Sequence, residues 1–428
     1  MLLIKKLYRF LIRKRLSVVA NTIRQIASFS TREGIETFQV DRFNAIWKKA
    51  CTNVPFYSQW RNKYHLSESI NSLVELESWP ILTKSDLRNL SLFKRVDVPE
   101  PKGRTLTGGS TGEPIRVPSW GDSMSGVSQT VGRMAYGIEP GDKTFLLWGH
   151  EHLYGTGVKR KINALKRRLK DWLANWKRVS AYDLSVGAMQ RAYKVCARFK
   201  PKFVIGFSPA VLAFVRHNKD KAHTIDSVRV ILCTAGPLTP EEKLEIEDFF
   251  GGTVCMEYGS VECGVMAYTR PKDGQYDVFW NTHLLQAQKQ SDGEYKNLVT
   301  RLTDCYVPLI RYDIGDYLDV SPEQENDNVR SVLEVRSIKG RPSEMIKFKC
   351  GVSFFGALIG DCVKQVPEIV SSQMAVDETN NKLEIRVTAS RKLDDSEKEL
   401  IKQAIDKAKN VEELTTVAIA TIKLTEGR

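Results

Sequence analysis

The spacing of hydrophobic positions changes character several times along the chain. Over residues 1–30, Leu2, Leu3, Leu7, Phe10, Leu11 and Leu16 interleave with Lys5, Lys6, Arg9, Arg13, Lys14 and Arg15, which predicts a basic amphipathic helix. Residues 42–100 read as helical and irregular, and Pro80 with Thr83 marks a helix start at Thr83-Lys84-Ser85-Asp86-Leu87-Arg88. Short apolar runs at Thr144–Trp148, Phe203–Gly206, Val228–Thr234 and Val254–Glu257 then alternate with helical segments, the pattern of an α/β fold. After Arg311 the runs shorten. From about Gly340 a small α+β unit is expected, with a strand at Lys382–Thr388, a helix at Asp395–Asn410 and a strand at Thr416–Leu424. The chain thus divides into a basic segment 1–40, a large α/β domain 41–338 and a small α+β domain 339–428.

Composition adds a size and a compartment. At 428 residues and 42% hydrophobic residues the chain can bury a large core. No stretch approaches the roughly 20 apolar residues of a spanning helix. The basic residues that break the first apolar run argue against a signal peptide, so a cytoplasmic location is expected. None of the eight cysteines forms a C-x-x-C pair, and they read as small buried hydrophobes rather than a disulfide framework.

The net charge of +13 is local. Residues 1–30 hold seven Lys or Arg and no acid, and residues 159–178 hold nine against the single Asp171. In the second segment Ile162, Leu165, Leu169, Trp172, Leu173 and Trp176 fall at helical spacing, with Lys and Arg on the other side. Tryptophan and leucine opposite lysine suit a helix lying on an anionic membrane surface, peripheral on the inner membrane face. A helix packed on the domain with its charges in water is the alternative for 159–178; the membrane reading is favoured for 1–30. Nucleic acid ranks last, because no recognition signature accompanies the charge.

Four segments carry candidate chemistry. In Thr107-Gly108-Gly109-Ser110-Thr111-Gly112-Glu113-Pro114 hydroxyl residues sit between glycines, so backbone N–H groups can approach a polyphosphate closely; the spacing is not that of a P-loop, and a plain Gly/Ser turn is the alternative. Glu257-Tyr258-Gly259-Ser260-Val261-Glu262 follows an apolar run, where a strand end presents polar groups to ligands. There Glu262 suits Mg²⁺ and Tyr258 can stack on a base. Pro308-Leu309-Ile310-Arg311-Tyr312-Asp313-Ile314-Gly315-Asp316 ends in a carboxylate able to accept from both ribose hydroxyls, with a surface turn as the alternative. Ile338-Lys339-Gly340-Arg341-Pro342-Ser343-Glu344-Met345-Ile346-Lys347 falls at the domain boundary and suits a hinge, from which Arg341 reaches phosphate or ribose.

These four elements in this order resemble the adenylate-forming superfamily, and most of all its phenylacetate–CoA ligase-like branch, whose members include CapK-like enzymes encoded with capsular and surface polysaccharide genes. Smaller cues agree: Val54-Pro55-Phe56-Tyr57, the run from Leu76 through Pro80 to Arg88, Thr234-Ala235-Gly236-Pro237-Leu238 at the adenine turn, and Gly206-Phe207-Ser208-Pro209 on the substrate side. The resemblance spans about residues 44–350 and implies a large adenylate-forming α/β domain of mixed sheets and helices, with a small mobile domain on a hinge. It implies ATP and Mg²⁺ as cofactors, with CoA or an amine or hydroxyl as acceptor, and an acid activated as its acyl-AMP. The Thr107–Pro114 loop would grip the β- and γ-phosphates, so Thr107, Ser110 and Thr111 join Glu262 and Arg341 as catalytic candidates. Ala235 and Gly236 would line adenine with Tyr258, Gly259 and Ser260, Glu262 would ligate Mg²⁺, and Asp316 would hold ribose.

The chain also departs from the family. Glu113 replaces a basic residue, Pro237 an acid, and Ser343 and Glu344 a pair of aspartates. Thr269 and Tyr276 stand where some relatives carry zinc ligands, so no zinc is expected. The usual terminal lysine is replaced by Lys423 or Arg428, or is absent. His150 and His152 follow an apolar strand and, with Ser208, are candidates for the substrate side; an ordinary loop position is the alternative for either histidine. Two functions therefore remain on the same fold: an acyl-adenylate ligase acting on a small carboxylic acid, with a lipid-linked or nucleotide-linked glycan as possible acceptor, or a catalytically impaired membrane-associated binding protein.

Overall fold

The computed structural model describes residues 2–88, 90–101, 104–106, 116–118, 123–148, 157–181, 183–320, 329–339, 345–347, 353–355, 366, 369–377, 382–389, 391, 393–408 and 416–424. The basic N-terminal helix is two helices, α1 (Leu2–Leu11) and α2 (Arg13–Ser28), followed by α3 (Arg32–Asn53) and α4 (Pro55–Tyr64). Thr31 caps α3 by accepting from the Gly34 amide, and Pro55 opens α4 where a missing N–H costs nothing. The helix expected at Thr83 is a single 3₁₀ turn, Asp86–Arg88. Thr83 and Asp86 bond reciprocally there, with the Thr83 hydroxyl 2.6 Å from the Asp86 carboxylate.

Strands β1 (Arg104–Leu106) and β2 (Arg116–Pro118) pair antiparallel and precede α5 (Ser123–Ala135). The α/β core follows in chain order: β3 (Thr144–Leu147), α6 (Gly157–Leu173), β4 (Trp176–Val179), α7 (Val186–Phe199), β5 (Phe203–Phe207), α8 (Ser208–Arg216), β6 (Val230–Thr234), α9 (Pro240–Phe250) and β7 (Thr253–Ser260). Antiparallel strands β8 (Gly264–Thr269) and β9 (Tyr276–Val278) extend it, and after β10 (His283–Lys289), β11 (Tyr295–Arg301) and β12 (Tyr312–Asp319) come β13 (Glu334–Val335) and β14 (Ser337–Lys339). The main sheet runs β13-β9-β8-β7-β6-β5-β3-β4, parallel from β7 to β4. A second sheet, β10-β11-β12-β14, is antiparallel.

The expected α/β class is met, and the parallel strands are apolar on both faces for the usual reason: helices cover both sides. β3 and β6 are buried at every position, whereas edge strand β4 is not. Helix α5 lies so close to β8 that a Cβ on Gly132 would sit 2.2 Å from the Tyr268 ring. A separate core joins α3, α4 and the following turns to the second sheet through Trp47, Tyr57, Trp79 and Leu82.

Toward the C-terminus, β15 (Met345–Lys347) pairs with β16 (Ser353–Phe355). β17 (Ile369–Asp377) pairs antiparallel with β18 (Lys382–Ala389), which pairs in parallel with β19 (Thr416–Leu424) after the helix Asp395–Ala408.

Candidate active site

The carboxyl ends of the parallel strands are where ligands bind in α/β folds, and four of the sequence segments meet there. At the ends of β5 and β6, the Ser208 hydroxyl donates to the Gly236 carbonyl at 2.7 Å and lies 3.3 Å from the Thr234 carbonyl. Ser208 is thus a buried tie between the expected substrate-side turn and the expected adenine turn. Within that turn Ala235 adopts φ +59°, a left-handed conformation that costs a non-glycine residue about 1–2 kcal/mol. Thr234 completes the tie by donating its hydroxyl to the Glu257 carbonyl on β7 at 3.2 Å.

The β7–β8 turn and strand β12 interlock. The Tyr258 hydroxyl donates to Asp316 at 2.8 Å and accepts from the Asn297 amide at 3.0 Å. In the opposite sense, the Tyr312 hydroxyl reaches Glu262 at 3.5 Å. Each segment therefore supplies a tyrosine to the other's carboxylate. Burial, then the Asp316 charge, hold the Tyr258 phenol well above its ordinary pKa, so it remains a donor. Glu262 is only 5% exposed. Both carboxylates act on the Cys263 thiol, which burial raises first and Glu262 and Asp316 raise further, while Arg301 opposes them. Arg301 is itself buried beneath the turn, with Thr303 as one of its partners at 3.2 Å.

The turn is pinned from below and behind. His283 Nε2 bonds the Cys263 carbonyl at 2.9 Å, and since a carbonyl only accepts, Nε2 carries the proton. The Ser260 hydroxyl accepts from the Cys263 amide at 3.0 Å. A Cβ on Gly259 would lie 2.6 Å from the Gly264 carbonyl oxygen, so the hairpin closes only around glycine here. Glu257 accepts the Tyr268 hydroxyl and stands 3.9 Å from Arg133 of α5. Burial opposes the Arg133 charge, yet Tyr268 and Glu257 hold its pKa above the ordinary value.

Two of the smaller sequence cues are buttresses for β12. The Tyr57 hydroxyl donates to the Pro308 carbonyl at 2.6 Å. Leu82 bridges in parallel to Tyr312, donating to the Arg311 carbonyl at 3.1 Å and accepting from the Asp313 amide at 2.9 Å. Arg311 adopts φ +48° and is buried, so this segment is no surface turn. Burial pushes its guanidinium down to about 10, still cationic at neutral pH.

Of the other expected site residues, Thr107, Gly108, Gly109, Ser110, Thr111, Gly112, His150, His152 and Arg341 lie outside the described residues. Strands β1 and β2 bracket the first group, pairing Leu106 with Arg116. Lys423 lies on β19, and Arg428 is outside the description. Thr269 bonds the Met256 amide at 2.9 Å, and among the described residues no cluster of three or more metal-binding side chains occurs. Asn297, His283, Arg133 and Arg301 were not anticipated. They lie singly on strands or a helix, and no local spacing marks them.

No protein-family model matches the chain. It is 24% identical over 320 residues to Protein CapK of Staphylococcus aureus, covering 72% of this chain and 68% of that one. Over 366 residues it is also 24% identical to phenylacetate-coenzyme A ligase of Aromatoleum evansii, covering 79% and 78%. Its fold matches 2-hydroxyisobutyryl-CoA ligase in complex with 2-HIB-AMP and CoA in the thioesterification state, with a TM-score of 0.58, 16% identity and coverage of 93% and 89%. The open conformation of that ligase gives a TM-score of 0.56 at 15% identity, with coverage of 91% and 88%. In sequence the chain is thus similar to Protein CapK and to a phenylacetate-coenzyme A ligase, and in fold it is similar to an acyl-CoA ligase solved with an acyl-AMP bound.

Proposed function

We propose that the protein is an adenylate-forming ligase that activates a carboxylic acid with ATP and passes the acyl group to CoA or to an amine or hydroxyl acceptor. The reciprocal Tyr258–Asp316 and Tyr312–Glu262 contacts carry this reading, because they bring two acids of different segments to one strand-end site. In it, Ala235 and Gly236 line adenine, Asp316 accepts from the ribose hydroxyls, and Thr107, Ser110, Thr111 and Arg341 act on the phosphates. Glu262 offers hard carboxylate oxygens of the kind Mg²⁺ takes, and the ion would neutralise phosphate charge beside it. The substrate carboxylate oxygen attacks the α-phosphorus, the bond to pyrophosphate breaks, and acyl-AMP forms. The acceptor then attacks the acyl carbon and AMP leaves. Positioning and charge neutralisation supply the rate, as in other phosphoryl-type transfers.

The likeness to the CapK-like branch extends the proposal to a lipid-linked or nucleotide-linked glycan acceptor, met at the inner face of a membrane. The test is carboxylate-dependent exchange of labelled pyrophosphate into ATP across aromatic, amino and uronic acids. Exchange with one class of acid is expected, and Glu262→Ala should lower it by about 10²–10³-fold. Folded protein that neither exchanges nor binds ATP would overturn the proposal and leave a binding protein on this fold.

A further inference from the structure

Helix α6 is turned inside out relative to an ordinary amphipathic surface helix. Ile162, Leu165, Leu169 and Trp172 form one stripe, within about 80° of arc at 100° per residue, and this stripe faces solvent: Leu165 is 68% exposed and Trp172 56%. On the wheel Lys161 and Arg168 flank one side of it, and Lys166 and Lys170 the other. The inward side carries Ala164, Arg167 and Asp171, with Asp171 in a two-bond pair to Arg178 at 3.0 and 3.1 Å. The one acid of α6 is therefore already matched, against seven Lys or Arg on the same helix. Behind the helix lies a groove of ≈1150 Å³ with Arg167, Arg168, Trp176, Lys177 and Arg198 in its lining.

The other basic segment is beside it. Helix α1 packs against α6 although the two are remote in sequence, and it too leaves apolar side chains in solvent, at Leu7, Phe10 and Leu11. It is held in place rather than hanging free. Arg15 of α2 donates to the Gly126 carbonyl and to the Thr130 hydroxyl of α5, Val19 and Thr22 are buried, and Arg9 pairs with Glu139 at 3.4 Å.

We propose that the α1–α6 face is the surface by which this protein docks on a bilayer rich in anionic phospholipid. The stripe of α6 lies at the acyl boundary, and its flanking Lys and Arg lie among the headgroups. Charge excludes the same face of a second copy, since two faces of this sign repel. The apolar stripe sets a bilayer above a nucleic acid, because a phosphate backbone leaves Leu165 and Leu169 uncovered. This deepens the membrane setting of the proposed function, and α6 begins beyond the carboxyl end of β3, on the side of the sheet that carries the candidate site.

The test is co-sedimentation of the full chain with phosphatidylcholine vesicles, with and without about 30% phosphatidylglycerol. Pyrophosphate exchange on the same samples reads the ligase proposal separately. Binding to the anionic vesicles alone is expected, weakening at least about tenfold as ionic strength rises from about 0.05 to about 0.5 M. Leu165→Glu/Leu169→Glu, Lys166→Glu/Lys170→Glu and Phe10→Glu should each weaken it at least about tenfold, with melting temperature and exchange in solution unchanged, because these side chains are exposed. Wild-type protein that ignores anionic vesicles, or variants that bind as tightly as it does, would overturn the proposal. So would a dimer split by Leu165→Glu/Leu169→Glu, which assigns the face to a second copy. Binding to heparin as tight as to vesicles and unchanged in that variant would also overturn it, leaving a plain charge patch.

Discussion

The Tyr258–Asp316 site and the outer face of α6 invert the usual partition of residues in opposite ways. At the site, polar and charged groups are inside: Glu262, Arg301, Arg311 and His283 are all buried. On α6, four large apolar side chains are outside. The difference lies in what compensates each inversion. Buried polar groups are tolerable when hydrogen-bonded, and the site residues bond one another across β7 and its following turn, β10, β11 and β12. The α6 stripe has nothing comparable, since exposed apolar surface is relieved only by covering it. A region whose inversion is met largely by hydrogen bonds among its own residues suits the small-ligand site proposed for it. A region whose inversion is unsatisfied suits the covering by a bilayer proposed for it.

That contrast can be broken by substitution, beginning with the largest effect. Asp316→Ala removes the proposed ribose acceptor and the partner of Tyr258, and should cost about 10²–10³-fold in pyrophosphate exchange while the chain stays folded. Exchange within a factor of two of wild type would separate the interlock from catalysis. Tyr258→Phe keeps the ring and deletes one hydrogen bond to a charged group, an effect of about 1.5–3 kcal/mol. Calorimetric titration with Mg·ATP should therefore show affinity reduced by about 10- to 100-fold. Tyr57→Phe acts at a distance from any ligand. It strands the buried Pro308 carbonyl, and denaturant unfolding should show a loss of about 1–3 kcal/mol with little change in ATP affinity. At the other end of the comparison, Leu165→Ser on α6 should alter stability by no more than about 0.5 kcal/mol. A larger loss in the same unfolding experiment would show that the stripe packs on the protein after all.

Much of the fold was legible because its signals are local. The apolar runs at Thr144, Phe203, Val228 and Val254 became β3, β5, β6 and β7, within a few residues at each end, since burial on both faces of a parallel strand demands an unbroken run. The strand Thr416–Leu424 has the bounds expected of it. The helix at Thr83 shrank to one turn because Leu82 is committed to pairing with β12. In the site, Glu262, Tyr258 and Asp316 were identifiable because each sits at a fixed offset within a glycine-bearing segment. Asn297 and His283 were not, because their partners lie far off in the chain.

The basic helices show where this boundary falls. Sequence alone determined that most of residues 1–30 and 159–178 is helical, basic and amphipathic, because period and charge are properties of neighbouring residues, but it ran the second helix too far: α6 stops at Leu173 and Trp176 belongs to β4. It also determined the order of the four chemical segments, on which the resemblance to a family rests. Which side of α6 faces outward, that α1 lies against it, and that the tyrosines of two segments exchange carboxylates were decided by tertiary structure. Those outcomes depend on what the rest of the chain places opposite each face, and amphipathic spacing carries no information about which face that is.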